Sequence, residues 1–374
     1  MTEFSDRVER ISISGIREVF EAASEDDINL GLGQPDFPTP DHAREAAVEA
    51  IRAGEADAYT ENRGILALRE AIAEKHERDQ GIDVHPDDVI ATAGGSEALH
   101  IALEAHVDAG DEVIIPDPGF VSYDALTKLT GATPVPVPVR DDLTIDPAAI
   151  EDAITEDTKA FIVNSPGNPT GAVSPGEDVK EFARIAKEHD VLCISDEVYE
   201  YTVFEGQHHS PMEFENGGNV VLVNSASKLF SMTGWRVGWV TATSERVDRM
   251  LRVHQYAQAC TSAPAQFAAE AALTGDMTIP ADMTESFERR RDLLLSGLEA
   301  AGIDCPKPKG AFYAMPEVPE GFVEECLDRG VVVVPGEAFG EQGKGRVRIS
   351  YATDEAELRK AIEIMQDAYE AVSE

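Results

Sequence analysis

A chain of 374 residues with 43% hydrophobic content can bury a large core, and its length predicts two folded domains. Its 71 acidic and 31 basic side chains leave a formal charge of −40, which excludes nucleic acid as an expected partner because phosphate backbones would be repelled. No apolar run approaches the roughly 18 residues that span a bilayer, and Met1 to Asp6 carries no basic region followed by an apolar stretch, so a soluble, cytoplasmic protein is expected.

The acids are spread along the whole chain, and only ten of the basic residues are lysine. A uniformly acidic, lysine-poor surface resembles that of proteins from salt-accumulating organisms. In molar salt the Debye length is about 3 Å, which screens the self-repulsion such a charge creates. A halophilic protein that loses its fold or its assembly at low ionic strength is therefore expected. Cys193, Cys260, Cys305 and Cys326 form no C-x-x-C pair, and Cys193 lies in an apolar run where a small buried side chain is the simplest reading. His208-His209 lacks partners at metal-ligand spacing and reads as solvated surface; no metal site is expected.

In chain order, the first 45 or so residues are rich in turn formers from Gly31 to Pro40 and are too few to fold alone. Strands are predicted at Val89 to Thr92, Glu112 to Ile115, Ala160 to Val163, Val191 to Ser195, Val220 to Asn224 and Arg236 to Val240. Helices fall between them, at Ser96 to Ala109, Tyr123 to Leu129 and Gly176 to His189. This alternation predicts an α/β domain with a mostly parallel central sheet covered by helices. Val135, Val137 and Val139 alternate with Pro134, Pro136 and Pro138, which confines that stretch to a sheet edge or an extended crossover. From about Thr274 the pattern changes to a long helix (Met283 to Ala301), short strands near Gly310 to Met315, Val331 to Val334 and Val347 to Ser350, and a helix from Glu355. The predicted division is residues 1–45 as an N-terminal segment and part of a small domain, 46–273 as a large domain, and 274–374 as a smaller α+β domain.

Four segments carry candidate chemistry. Thr92-Ala93-Gly94-Gly95-Ser96-Glu97 follows a strand and opens a helix, so its small residues and helix N-terminus suit a phosphate, or Ser96 merely caps the helix. Asn164-Ser165-Pro166-Gly167-Asn168-Pro169-Thr170-Gly171 packs more turn formers than a plain turn needs and would hold Asn168 at the carboxyl end of the sheet. Asp196, leaving an apolar strand, would be costly to bury without a cation; alternatively Ser195 or Asp196 caps a helix. Ser225-Ala226-Ser227-Lys228, with Arg236 eight residues on, suits a Schiff-base lysine beside a dianion, although the motif taken alone is better read as a surface lysine after a strand.

Together, and in this order, Gly33-Gln34-Pro35-Asp36-Phe37, Tyr59, Gly94-Gly95-Ser96, Phe120, Asn168-Pro169-Thr170-Gly171, Asp196-x-x-Tyr199, Ser225-x-x-Lys228, Arg236 and Arg348 resemble the pyridoxal-phosphate aminotransferases of fold type I, class I/II. The resemblance covers nearly the whole chain. It implies that Lys228 binds the cofactor and then shuttles a proton between the substrate α-carbon and the cofactor C4′, and that Asp196 keeps the ring nitrogen protonated. It implies that Asn168 and Tyr199 hydrogen-bond the phenolate oxygen and that Phe120 stacks on the ring. Gly94, Gly95, Ser96, Ser225, Ser227 and Arg236 would surround the phosphate, with Tyr59 reaching over from the second subunit of a homodimer. Arg348 would grip the substrate α-carboxylate as a bidentate fork, with Arg346 its nearest competitor, and Gly33 and Asn168 would complete the substrate contacts. Ile11 to Phe20 resembles a segment that closes over the site.

Relatives specific for dicarboxylates use an arginine from the partner subunit or a lysine directly after the double glycine. Thr261 to Ala271 offers no arginine, and Ser96 stands at the lysine position. Aspartate with 2-oxoglutarate is the first expectation because it is the commonest activity of the subgroup. Aromatic or neutral amino acids follow, with Arg252, His254 or Gln258 as further contact candidates. The alternative chemistry on the same scaffold is β-elimination, a C–S lyase or related synthase.

Overall fold

The computed structural model describes residues 4–12, 24, 26–215 and 218–373. Its strands are β1 (Ile28–Asn29), β2 (Val89–Thr92), β3 (Glu112–Asp117), β4 (Thr133–Pro138), β5 (Thr158–Asn164), β6 (Leu192–Asp196), β7 (Val220–Ser225), β8 (Gly238–Thr241), β9 (Tyr313–Ala314), β10 (Val331–Val332), β11 (Val334–Pro335) and β12 (Val347–Ser350). Seven of them form one sheet in the order β2-β8-β7-β6-β5-β3-β4. Every pairing is parallel except those of β8, which runs against both β7 and β2.

Alternation along the strands divides the core into two layers. Ile162, Ile194, Val221 and Val223 face one layer with Ala98, Leu99, Ala102 and Met250, from the helices Gly95–His106 and Ser244–Ala257. Phe161, Val163, Cys193 and Leu222 face the other, with Val179, Phe182, Ile185 and Ala186 of the helix Gly176–Glu188. That helix buries positions three and four residues apart, the stripe an amphipathic helix presents to a sheet. The proline-alternating stretch is β4, at the sheet's edge, where missing N–H donors disturb only one ladder.

The C-terminal third has a separate core. The helices Thr278–Ala300 and Glu355–Ser373 pack beside the antiparallel sheet β11-β12-β9, burying Phe287, Leu294, Leu298, Ile349, Leu358 and Met365. β1 joins this region by pairing in parallel with β10, Ile28 opposite Val331. The short helix Asp6–Glu9 instead lies against the large sheet's side, where Arg7 donates to Leu129 O at 3.1 Å and Arg10 to Ala132 O at 3.1 Å.

Several boundaries differ from expectation for local reasons. The last strand of the large sheet starts at Gly238, not Arg236, because Arg236 adopts a left-handed conformation (φ +53°). Only Tyr313 and Ala314 of the segment 310–315 are strand, since Gly310 and Ala311 direct their N–H groups to Gly171 O and Thr202 O. The long helix begins at Thr278, where Asp276 accepts the Thr278 N–H at 2.9 Å. Residues 13–20 of the expected closing segment lie outside the described residues.

Candidate active site

Asn164, Asp196 and Ser225 end three adjacent parallel strands, β5, β6 and β7. The register sets Asn164 beside Asp196 and Asp196 beside Val223. Their carboxyl ends open onto a cavity of about 270 Å³ lined by Gly33, Gly95, Ser96, Phe120, Asn168, Asp196, Tyr199, Ser225, Ser227, Lys228, Arg236 and Arg348. Crevices outside the carboxyl ends of strands are where open α/β sheets bind ligands. A larger cleft of about 1660 Å³ adjoins it at Phe120 but includes neither Lys228 nor Asp196.

Asp196 is 4% exposed. No helix follows it; residues 197–200 make a turn, so neither Ser195 nor Asp196 is a helix cap. The carboxylate accepts the Tyr123 hydroxyl at 2.8 Å, and the Asn164 amide donates to the Asp196 backbone oxygen at 2.8 Å. Burial pushes the Asp196 carboxyl up to about 6, against the opposing pull of the Tyr123 hydroxyl. No cation hydrogen-bonds this carboxylate among the described residues; the Lys228 charge acts on it through space.

Lys228 sits in a single helical turn, Ala226–Leu229, capped by Ser225, whose hydroxyl accepts the Ser227 N–H at 3.1 Å. Its ammonium donates to Gly33 O at 2.6 Å. Burial, then the charges of Arg348 and Arg236, bring the amine down to about 8, so about a tenth of it is neutral at pH 7, far more than for an ordinary lysine.

The opposite end of the cavity is backbone and guanidinium. Gly94, at φ +85°, is the residue before the helix Gly95–His106, and no side chain caps that helix; Ser96 lines the cavity instead. A Cβ on Gly94 would come within 2.6 Å of Arg236 Nη2, and one on Gly238 within 2.7 Å of Gly95 N, so glycine is required for the loops to close up. Arg236 donates to Ala93 O at 3.2 Å and to Thr233 O at 3.1 Å. Glu97 accepts the Ala93 N–H and is itself bonded to His254 at 2.8 Å. His254 is therefore buried behind the loop, not a substrate contact, and neither Arg252 nor Gln258 lines the cavity.

Arg348, 3% exposed on β12, donates to Asn168 Oδ1 at 3.0 Å and to Gly31 O, and its guanidinium lies 4.8 Å from the Tyr313 ring centroid and 4.7 Å from that of Phe339. Stacking on both sides orients the fork. Arg346 turns away to Met315 O and Glu317. Asn168 is held by its own loop, its N–H reaching Asn164 Oδ1 at 2.7 Å. Tyr199 shares a 2.8 Å hydrogen bond with the Tyr313 hydroxyl. Phe120 lines the cavity edge-on to Tyr123, ring centroids 5.6 Å apart. Tyr59 is 88% exposed and does not reach the cavity of its own chain.

Sequence reasoning gave no role to Tyr123, Asn164, Tyr313 or Phe339. Asn164 stood inside a motif already singled out and Tyr123 lies three residues after Phe120; Tyr313 and Phe339 approach from distant chain positions and leave no local signal. The expectation for His208 is corrected. Its side chain is 9% exposed and meets Glu197 Oε2 at 3.2 Å, because residues 207–210 fold back over the acidic turn after β6.

A family model for aminotransferase class I and II matches residues 25–365. The probable aspartate aminotransferase of Methanocaldococcus jannaschii is 40% identical over 98% of this chain and 100% of its own length. The aromatic-amino-acid aminotransferase 2 of Thermococcus litoralis is 40% identical over 97% of each chain. The solved structure of aspartate aminotransferase from Thermus thermophilus with maleate superposes with a TM-score of 0.94 at 39% identity, covering 98% of this chain and 100% of that one. The chain belongs to the class I and II aminotransferases, pyridoxal-phosphate enzymes of fold type I, and is a transferase of amino groups.

The residues present fit that cofactor. A buried carboxylate with no cation hydrogen-bonded to it at one end matches a protonated ring nitrogen, a partly neutral lysine matches an aldehyde carbon, and glycine backbone with three serines and an arginine matches a phosphate.

Proposed function

We propose that this aminotransferase takes aspartate as its amino donor and 2-oxoglutarate as acceptor, in a homodimer with shared sites. The observation that carries the reading is Lys228, Asp196 and Arg348 converging on one cavity. The names of the relatives and the maleate bound in the Thermus structure, a four-carbon dicarboxylate, support the choice of donor.

Pyridoxal phosphate, when bound, supplies the electron sink that makes the amino acid's α-carbon acidic. The chain's part is electrostatics, placement and proton movement. Asp196 would keep the ring nitrogen protonated, and Tyr123 and Asn164 hold Asp196. Tyr199 and Asn168 would donate to the phenolate oxygen, while Phe120 would cover the ring. Gly94, Gly95, Ser96, Ser225, Ser227 and Arg236 would hold the phosphate. The Arg348 fork would take the α-carboxylate, with Gly33 beside it, which would leave the Lys228 amine free to take the substrate's α-proton and return it to the cofactor.

A second reading has an observation of its own. Among the described residues the cavity's cations are Lys228, Arg236 and Arg348, and each already has a task, so no group is free for a distal carboxylate. Aromatic or neutral donors follow from that, as the Thermococcus relative's name suggests. A donor panel with 2-oxoglutarate in molar salt decides. Aspartate should give the highest kcat/KM, and an aromatic donor exceeding it tenfold would reverse the assignment. Pyruvate released without any oxo acid would instead indicate β-elimination.

Tyr59 and Tyr256, 88% and 89% accessible, are large exposed aromatic side chains of the kind a second subunit would cover. We assign residues 46–273 to the large domain and 274–374, with part of the N-terminal segment 1–45, to the small one. A cytoplasmic, salt-adapted enzyme fits the charge of −40. Its melting temperature should fall steeply between 2 M and 50 mM salt; an unchanged value at 50 mM would remove the halophilic reading.

A further inference from the structure

The turn after β6 has two faces. Asp196, Val198 and Tyr199 line the cavity, whereas Glu197 and Glu200 point to the opposite side and are 1% and 9% exposed. Behind the site they meet cations from two other parts of the chain. Lys75, fully buried on the helix Leu66–Gln80, donates to Glu200 Oε2 at 2.6 Å, and His208 meets Glu197 Oε2 at 3.2 Å. Ser195 and Ser210 donate to Glu197 Oε1 at 2.9 and 2.8 Å, Asn224 donates to Glu200 Oε1 at 3.0 Å, and Gln80 bridges the two carboxylates at 3.2 and 3.5 Å. Glu197, Glu200 and His208 place donor atoms within 4.8 Å of one another. The Lys75 ammonium supplies one cation there, and His208, when protonated, supplies the second.

We propose that Lys75 and His208 are positioning residues whose charges balance Glu197 and Glu200, keep the turn 196–200 in place and hold Asp196 ionised toward the cofactor's ring. The inference rests on the reading of Asp196 as the carboxylate at the ring nitrogen. The turn's backbone is pinned from the same side, Glu197 N–H to Val223 O at 2.8 Å, so movement of Glu197 is transmitted to its neighbour Asp196. Glu197 already raises the Asp196 carboxyl, and loss of an opposing cation strengthens that effect.

The surrounding charges are defined. His76, next to Lys75, is brought down to about 4 by burial and by the Lys75 charge, so it is neutral; its Nε2 lies 3.2 Å from the Thr241 hydroxyl. Asp79, 3.8 Å from Lys75, is matched by Arg78 and by the Tyr201 hydroxyl. Burial opposes protonation of His208, but the hydrogen bond and charge of Glu197, with Glu200 behind, outweigh it and raise its pKa. With His208 protonated the two carboxylates face two cations; with it neutral, one negative charge is left over.

The test is the pH midpoint of the absorbance change of the bound pyridoxal phosphate in the holoenzyme. His208→Gln should raise that midpoint by about half a unit or more, since removing a positive charge favours protonation nearby. Glu197→Gln should lower it, and the double variant should return close to the parent value. His208→Lys keeps the charge and should also stay near the parent. Folded His208→Gln and Glu197→Gln enzymes with unmoved midpoints overturn the proposal, as does His208→Lys displaced as far as His208→Gln. If no cofactor band forms at all, the functional reading fails. The block itself is then tested by thermal unfolding of the chain without cofactor. A raised histidine pKa contributes stability fully below about pH 6.5, lost as pH rises through the folded value. The melting-temperature gap between parent and His208→Gln should therefore be larger at pH 6 than at pH 9; a gap independent of pH overturns the proposal.

Discussion

The two ends of the cavity are built differently. At the Asp196 end every group is interior: Asp196, Asn164, Tyr123 and Tyr199 are at most 5% exposed, and hydrogen bonds to other residues of the same chain hold each in place. At the Arg236 end the guanidinium is exposed, the backbone pinches through Gly94 and Gly238, and Tyr59 points to solvent. The closed end meets the demand of chemistry, where a misplaced proton acceptor costs rate. The open end suits the proposed loading of a dianion, and in the proposed homodimer it is where a second chain would complete the site.

Substitutions at the two ends should separate accordingly. The largest effect belongs to Lys228, the proposed proton carrier. Lys228→Ala should lower kcat by at least about 10⁴-fold, with no recovery at high cofactor concentration, because the loss is in proton transfer and not in loading. Rapid-quench or steady-state assays with saturating pyridoxal phosphate measure it.

The same lysine carries an opposite effect on stability. Burial holds its pKa near 8 in place of 10.5, so the folded chain without cofactor is penalised for the ammonium below about pH 8, and the penalty fades as pH rises toward 10.5. Lys228→Met should thus stabilise the unloaded protein at pH 7 by up to about 3 kcal/mol and give no advantage near pH 10.5. Denaturant titrations at the two pH values, in molar salt, would read this directly. A functional site that is less stable than its inert variant is the usual mark of strain retained for activity.

At the open end the effects should be smaller and should appear in affinity. Arg236→Gln should weaken cofactor binding by about 10- to 100-fold through loss of charge-assisted hydrogen bonds, with kcat at saturating cofactor within about threefold of the parent. If Arg236→Gln lowered kcat as much as Lys228→Ala, the division between a chemical and a loading end would collapse.

This division also bears on what could be read from the sequence. The large sheet was legible because each buried strand is a short apolar run covered on both faces, as in Val220 to Asn224, and runs of that kind have few other uses. The motif-bearing ends of β5, β6 and β7 were legible for a related reason, since polar or hinge residues directly after such runs are conspicuous. Tyr123, Tyr313 and Phe339 were not, because each reaches the site through tertiary packing and looks like an ordinary core aromatic in its own segment. His208 was misread on the same ground: a His-His pair in a polar loop looks solvated until the loop folds over Glu197. Arg348 and Arg346 could be ranked but not separated, because only the structure shows Glu317 capturing the latter.

The smallest expected effect probes whether a second chain finishes the open end. Tyr59 is too exposed to serve its own cavity, so its hydroxyl acts only if a partner subunit presents it to the other site. Tyr59→Phe should raise the cofactor Kd by about three- to tenfold, the range expected for one lost hydrogen bond. A mixed dimer makes the assignment geometric. Pairing a Tyr59→Phe chain with a Lys228→Ala chain creates one site with both Lys228 and Tyr59 intact. That dimer should recover about half the parent's activity at limiting cofactor. If Tyr59 acted within its own chain, the Lys228-bearing site would keep the Tyr59→Phe defect, and mixing would bring no such gain. The outcome separates a shared site from a self-contained one without depending on how large the hydroxyl's contribution is.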